Sequence, residues 1–98
     1  MAIKVFLQFE IKPEFLDETL KTFDKALPDT RAFDGCLGIE VLQDSENPNQ
    51  ITLDELWESQ EHQQKYMKWR EETGFIEKMM PVLDGPLVIK YFNIQGTF

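Results

Sequence analysis

Between Ile3 and Ile11 every odd position is apolar (Ile3, Val5, Leu7, Phe9, Ile11), while Lys4, Gln8 and Glu10 occupy even ones. A period of two with one wholly apolar face predicts a β-strand over Ala2–Ile11. The period then lengthens. Leu16, Leu20, Phe23 and Leu27 recur at i, i+4, i+7 and i+11 with Asp17, Glu18, Lys21 and Asp24 turned outward. This predicts an amphipathic helix from about Glu14, with Pro13 suited to its first turn. Pro28 lacks the N–H that a helix interior donates, so the helix is expected to end or kink near Leu27, and Thr30 to Phe33 to form a separate turn.

Asp34-Gly35 marks a turn, after which Leu37, Ile39 and Val41 carry a second strand over Cys36–Gln43. A polar hairpin loop, Ser45 to Gln50, leads into a third strand over Ile51–Trp57. Ser59 offers an N-cap oxygen to a helix beginning near Gln60, and Gly74 can end it. Phe75–Met80 fits a further short helical stretch, Pro81 to Pro86 breaks it, and Leu87–Ile94 is a last strand. The order β-α-β-β-α-β predicts a ferredoxin-like α+β fold, a single domain over residues 1–98. Its four strands form one antiparallel sheet with both helices on one face.

The opposite face then needs a cover. It holds Phe6, and the last strand is apolar on both parities (Val88, Phe92, Ile94 against Leu87, Ile89, Tyr91). At roughly 150 Å² or more per aromatic, such a patch reaches the about 300–600 Å² that bounds ordinary monomers. A second copy of the chain, making a homodimer, is the simplest cover.

Composition narrows the partners. Eighteen acidic against ten basic residues give a net charge of −8, which opposes nucleic acid and anionic membranes alike. No run approaches the roughly 18 apolar residues of a membrane span, and the opening segment carries charges and lacks a small-residue cleavage site. The default location is therefore cytoplasmic. With Cys36 and His62 as the only residues of their kinds, neither an internal disulfide nor a Cys/His zinc site can be assembled in one chain, and no metal is expected.

The opening strand leading into Lys12-Pro13, the turn Asp34-Gly35-Cys36-Leu37-Gly38 and the segment Glu55-Leu56-Trp57-Glu58-Ser59 together resemble the antibiotic-biosynthesis-monooxygenase domain family. Tyr66 to Gly74 resembles one branch of it. The resemblance covers nearly the whole chain and implies a dimeric α+β barrel. It also implies a quinol- or anthrone-type monooxygenase that uses O₂ with no flavin, haem or metal: a phenolic substrate is deprotonated and passes an electron to O₂ in a dry pocket. Haem-degrading relatives rely on an Asn in the first strand, a Trp in the second helix and a His ligand beyond. Here those places hold Leu7 and Gln8, Tyr66, and the Met79 region, so the haem set is missing, and His62 comes too early to replace the ligand.

At 100° per residue, His62, Trp69, Arg70 and Thr73 fall within roughly 60° of Tyr66 on the second helix. Gln63 borders the same face. Plain core packing explains a Tyr/Trp stripe; a polar-lined pocket between this helix and the sheet explains the polar groups as well. In that pocket Tyr66 bonds a phenolic oxygen, Trp69 stacks on a flat ring, and Arg70 steadies a phenolate or else pairs with Glu55 or another carboxylate. Tyr66→Phe is then expected to leave the fold nearly intact. His62 is a candidate base or an exposed first-turn histidine. Glu55 shares its strand parity with Ile51, Leu53 and Trp57, so burial raises its pKa and suits it as proton acceptor, a salt bridge or a place at the subunit boundary being the alternative. Trp57, Gln63 and Met67 complete the substrate-binding candidates, and Met79-Met80 reads as adaptable wall or core. The rival to the enzyme is a non-catalytic dimer of the same fold that binds a small apolar ligand.

Overall fold

The computed structural model describes residues 1–98 and has the expected order. It comprises β1 (Ile3–Glu10), α1 (Leu16–Ala32), β2 (Cys36–Gln43), β3 (Gln50–Trp57), α2 (Gln60–Glu72), α3 (Phe75–Met79) and β4 (Val88–Asn93). Single 3-10 turns at Pro13–Phe15 and Met80–Val82 flank the helical segments. The sheet runs β2-β3-β1-β4, antiparallel throughout.

Register explains which side chains meet. Val5 faces Glu55 on one side and Tyr91 on the other, and Leu7 likewise faces Leu53 and Ile89. These odd-numbered residues form the helix-facing surface, where Ile3, Val5, Leu7, Phe9, Ile51, Leu53 and Trp57 are buried with Phe23 of α1 and Tyr66 of α2. The even face is bare. Its rows place Phe6 beside Asp54 and Lys90, and Lys4 beside Leu56 and Phe92. Phe6 and Phe92 pack edge to face at 5.2 Å, and Lys4 pairs with Asp54 at 3.0 Å. Every residue of β4 is exposed, on the helix-facing parity as well as on the bare one. In β2 the register slips between Cys36 and Gly38, a bulge that leaves Leu37 exposed.

Pro28 does not end α1, which continues to Ala32. The cost of an interior proline, about 3 kcal/mol, is offset from outside the helix. Arg70 of α2 donates through Nη2 to the Ala26 carbonyl at 2.7 Å and to Thr30 Oγ1 at 3.0 Å, gripping α1 on both sides of the proline. Thr30 is fully buried and also hydrogen-bonded to the Tyr66 hydroxyl. The stretch expected to be a separate turn is helix because α2 holds it there.

Candidate functional site

On β3, alternation puts Leu53, Glu55 and Trp57 on the helix-facing surface. Glu55 is 1% exposed, with Val5 beside it on β1 and Ile39 on β2. Trp57 Nε1 donates to Glu55 Oε1 at 2.8 Å. Burial pushes the carboxyl up to about 7, against the Trp57 hydrogen bond, which favours the anion, and with a smaller contribution from the Asp54 charge. No cation pairs with it. The group therefore exchanges a proton near neutral pH in apolar surroundings.

Ser59 caps α2 by accepting from the His62 backbone N–H at 3.2 Å, and that start fixes which residues face the sheet: Gln63, Tyr66 and Arg70 are the buried ones. The Gln63 Oε1 accepts from the Tyr91 hydroxyl of β4 at 2.7 Å, while its Nε2 is buried without a partner. Tyr66 stacks on Trp57 with ring centroids 5.2 Å apart, and Phe33 completes an aromatic cluster with Tyr66 at 5.3 Å and Trp69 at 5.4 Å. Met67 and Trp69 are half-buried against the core.

The polar end of this cluster is closed on itself. Arg70 Nε donates to the Tyr66 hydroxyl at 2.8 Å, and that hydroxyl also bonds Thr30. Burial raises the Tyr66 hydroxyl, with the Thr30 and Arg70 hydrogen bonds opposing. Arg70 meets no carboxylate, so the expected ion pair with Glu55 is absent; its guanidinium lies between the Trp69 and Phe75 rings, 4.7 and 4.6 Å from their centroids. Tyr66→Phe, expected from sequence to leave the fold nearly intact, strips a buried Arg70 donor of its acceptor. It is expected to cost about 2 kcal/mol, read as a lower urea midpoint at unchanged slope. An unchanged midpoint would show that the hydroxyl is not shared in this way.

His62 lies apart from this cluster. Its Nδ1 is 2.6 Å from Ser59 Oγ, and its Nε2 faces the carboxylates of Asp34 and Glu58, each at 3.9 Å. The ring lies against Gly35, where φ is +89° and a Cβ would come within 2.4 Å of the imidazole, so glycine is required there for both backbone and space. Asp34, Glu58 and His62 bring three donor atoms within 4.8 Å of one another at the surface, a grouping that exposed acidic side chains often form with no ion.

Two cavities lie against α3, and neither is lined by Tyr66, Trp69 or Arg70. The smaller one, about 50 Å³ and half-open to solvent, is lined wholly by apolar side chains, among them Leu7, Leu53, Phe23, Phe75, Met79 and Met80. Glu55 sits two residues along β3 from Leu53 on the same face, about 7 Å away along the strand. The larger one, about 360 Å³, opens between α1 and α3. Sequence reading missed Thr30, the Ala26 carbonyl, Phe33 and Tyr91; only the position of Phe33 just before the Asp34-Gly35 turn gave a local signal. Met79 and Met80 both line the smaller cavity. No helix is long and apolar enough to cross a membrane.

A search of curated proteins finds no match. Solved structures share the fold. A conserved protein from Methanosarcina mazei Go1 is similar at a TM-score of 0.85 and 23% identity, over 94% of this chain and 91% of its own. Rv0793 from Mycobacterium tuberculosis is similar at 0.86 and 15% identity, over 99% and 98% of the two chains. A protein described as an antibiotic biosynthesis monooxygenase is similar at 0.85 and 19% identity, over 96% and 99%. The sequence model of the antibiotic biosynthesis monooxygenase family matches residues 2–77, from the first strand into α3, and the chain belongs to that family.

Proposed function

We propose that the protein is a cofactor-independent monooxygenase that oxidises a small aromatic, quinol- or anthrone-like substrate with O₂. The observation that carries this reading is Glu55: a carboxyl buried among apolar side chains, unpaired with any cation, titrating at about 7 and next along the strand from an apolar chamber. Membership of a monooxygenase family supports it.

In this reading the substrate ring enters the chamber lined by Leu7, Leu53 and Phe75, and the Glu55 carboxylate takes its acidic proton, with Trp57 Nε1 holding the carboxylate in place. The resulting anion gives one electron to O₂, and the substrate radical and superoxide combine to a peroxide. Cleavage of the O–O bond with loss of a second substrate proton leaves one oxygen atom in the product carbonyl and the other in water. The protein supplies a proton acceptor and a water-poor site, and the substrate supplies all the electrons. In this reading Gln63, whose Nε2 is buried without a partner, is the donor to the substrate oxygen; Tyr66 and Arg70 hold α2 in register, and Trp69 and Met67 back it. His62 has no part in the proton transfer, being at the surface with Asp34 and Glu58.

A second reading, a ligand-binding dimer without catalysis, is favoured by the Tyr66 and Arg70 groups being engaged within the chain. O₂ uptake by the purified protein with a panel of hydroquinones and anthrone separates the two. The enzyme consumes one O₂ per product and places one labelled oxygen atom from ¹⁸O₂ in the product. Saturable binding with no O₂ uptake across the panel would leave the second reading.

A further inference from the structure

Gln63 is the most deeply buried side chain of α2, and only one end of its carboxamide is engaged within the chain. Its Oε1 accepts from the Tyr91 hydroxyl at 2.7 Å, a bond that ties α2 to the edge strand β4 across 28 positions of sequence. Its Nε2 is sealed from solvent and donates to nothing. Buried amide donors are nearly always paired, because a bare one has given up its hydration for no return. The Gln63 nitrogen therefore calls for an acceptor that the chain itself does not supply.

The sheet register says where that donor is held. On the helix-facing surface Val5 is flanked by Glu55 of β3 and by Tyr91 of β4, so the carboxyl and the phenol belong to one row. Gln63, bonded to Tyr91, is tied to the row that carries Glu55. Each of the two groups is fixed by an aromatic side chain: Trp57 Nε1 donates to Glu55 Oε1, and the Tyr91 hydroxyl donates to Gln63 Oε1. What remains free is an oxygen on Glu55 and an N–H₂ on Gln63. A carboxamide turned end for end would present its oxygen instead. It would then set one acceptor toward the row of another.

We infer that Tyr91 is a positioning residue: its hydroxyl fixes the Gln63 carboxamide with Nε2 turned inward, where it donates to the substrate oxygen from which Glu55 takes the proton. In that step the substrate O–H bond breaks, the proton goes to the Glu55 carboxylate, and the charge left on oxygen meets the Gln63 N–H. The use of the donor rests on the proposed function; the hold of Tyr91 on Gln63 does not. An edge strand exposed along its whole length thus enters the chemistry through one hydroxyl.

The hold is read by ¹⁵N relaxation of the Gln63 side-chain amide, expected to be as rigid as the backbone in wild type and mobile in Tyr91→Phe. Tyr91 is 38% exposed and the variant keeps its ring, so the fold is expected to survive. The use is read by a double-mutant cycle in O₂ uptake with the best hydroquinone. An oriented donor at a developing oxyanion is worth about 10²–10³ in rate, so Gln63→Leu is expected to lower kcat about a hundredfold. Tyr91→Phe frees the amide without removing it, and is expected to lower kcat about tenfold with KM changed by less than about twofold. In the Gln63→Leu background it is expected to cost nothing further, whereas a merely structural Tyr91 would cost the same in both. If urea midpoints show Gln63→Leu to be unfolded, amide relaxation and the kcat-against-KM split of Tyr91→Phe decide. A Gln63 amide that stays rigid in Tyr91→Phe, an unchanged kcat, or an equal loss in both backgrounds overturns the inference. An amide released in Tyr91→Phe, with no O₂ uptake by wild type, overturns the proposed function and with it the use of the donor, and leaves the hold of Tyr91 standing.

Discussion

Glu55→Gln is expected to lower turnover at least a hundredfold while preserving ligand binding. The substitution keeps size and shape and removes the proton acceptor from a water-poor site, where loss of a general base costs about 10²–10⁴ in rate. Wild-type turnover is expected to rise with pH through about 7, as the carboxyl ionises, and to level off above it. A rate that ignores both pH and the Gln substitution would remove Glu55 from the chemistry. The same group marks stability with the opposite slope. Its folded pKa lies above the ordinary carboxyl value of 4.5, so the native state holds a proton that the unfolded chain has released. Stability contributed by the protonated form is fully present below about 4.5, declines through the interval up to about 7 and is gone above it, a total of about 3 kcal/mol. Glu55→Gln is expected to flatten that segment of the urea-midpoint curve and to be more stable than wild type at pH 8.

Sedimentation at low micromolar concentration is expected to give twice 11.5 kDa, with the bare sheet faces joined. The Phe6–Phe92 pair, Leu56 and Val88 form the apolar part of that face, interrupted by the Lys4–Asp54 ion pair. Phe92→Asp replaces one ring of that pair with a carboxylate beside Lys4, and is expected to weaken association by at least about tenfold. Because each copy carries −8, added salt is expected to tighten the wild-type dimer by screening repulsion. A wild-type monomer under these conditions would mean that the face has no partner of its own kind.

The sheet was legible because alternation is a local signal: Ile3 to Phe9 and Ile51 to Trp57 announce both their strands and their buried faces, with Glu55 visible as a misfit among them. The stripe on α2 was equally legible, and Gln63, Tyr66 and Arg70 are indeed its buried residues. What they touch was not. Whether Arg70 meets Glu55 or the Ala26 carbonyl depends on how α2 crosses α1, and no spacing within α2 encodes that. The pocket was assigned to the aromatic face for the same reason: Phe33, far away in the chain, fills the space that a substrate was expected to occupy. Pro28 misled because its local penalty is real and its compensation lies in another helix.

That compensation bears on how the chain acquires its shape during synthesis. The residue pairs that hold the end of α1 are separated by 36 to 44 positions: Thr30–Tyr66 by 36, Arg70–Thr30 by 40 and Arg70–Ala26 by 44. A chain leaving the ribosome N-terminus first exposes Pro28 well before Arg70 exists to support it. Up to that moment α1 has a sound amphipathic body and a weak final turn, and β2 has no firm corner from which to start. Loop-closure entropy must be met before such distant contacts form. Docking of α2 is therefore expected to complete the first crossover as well as the second, so that the two halves of this small fold mature together.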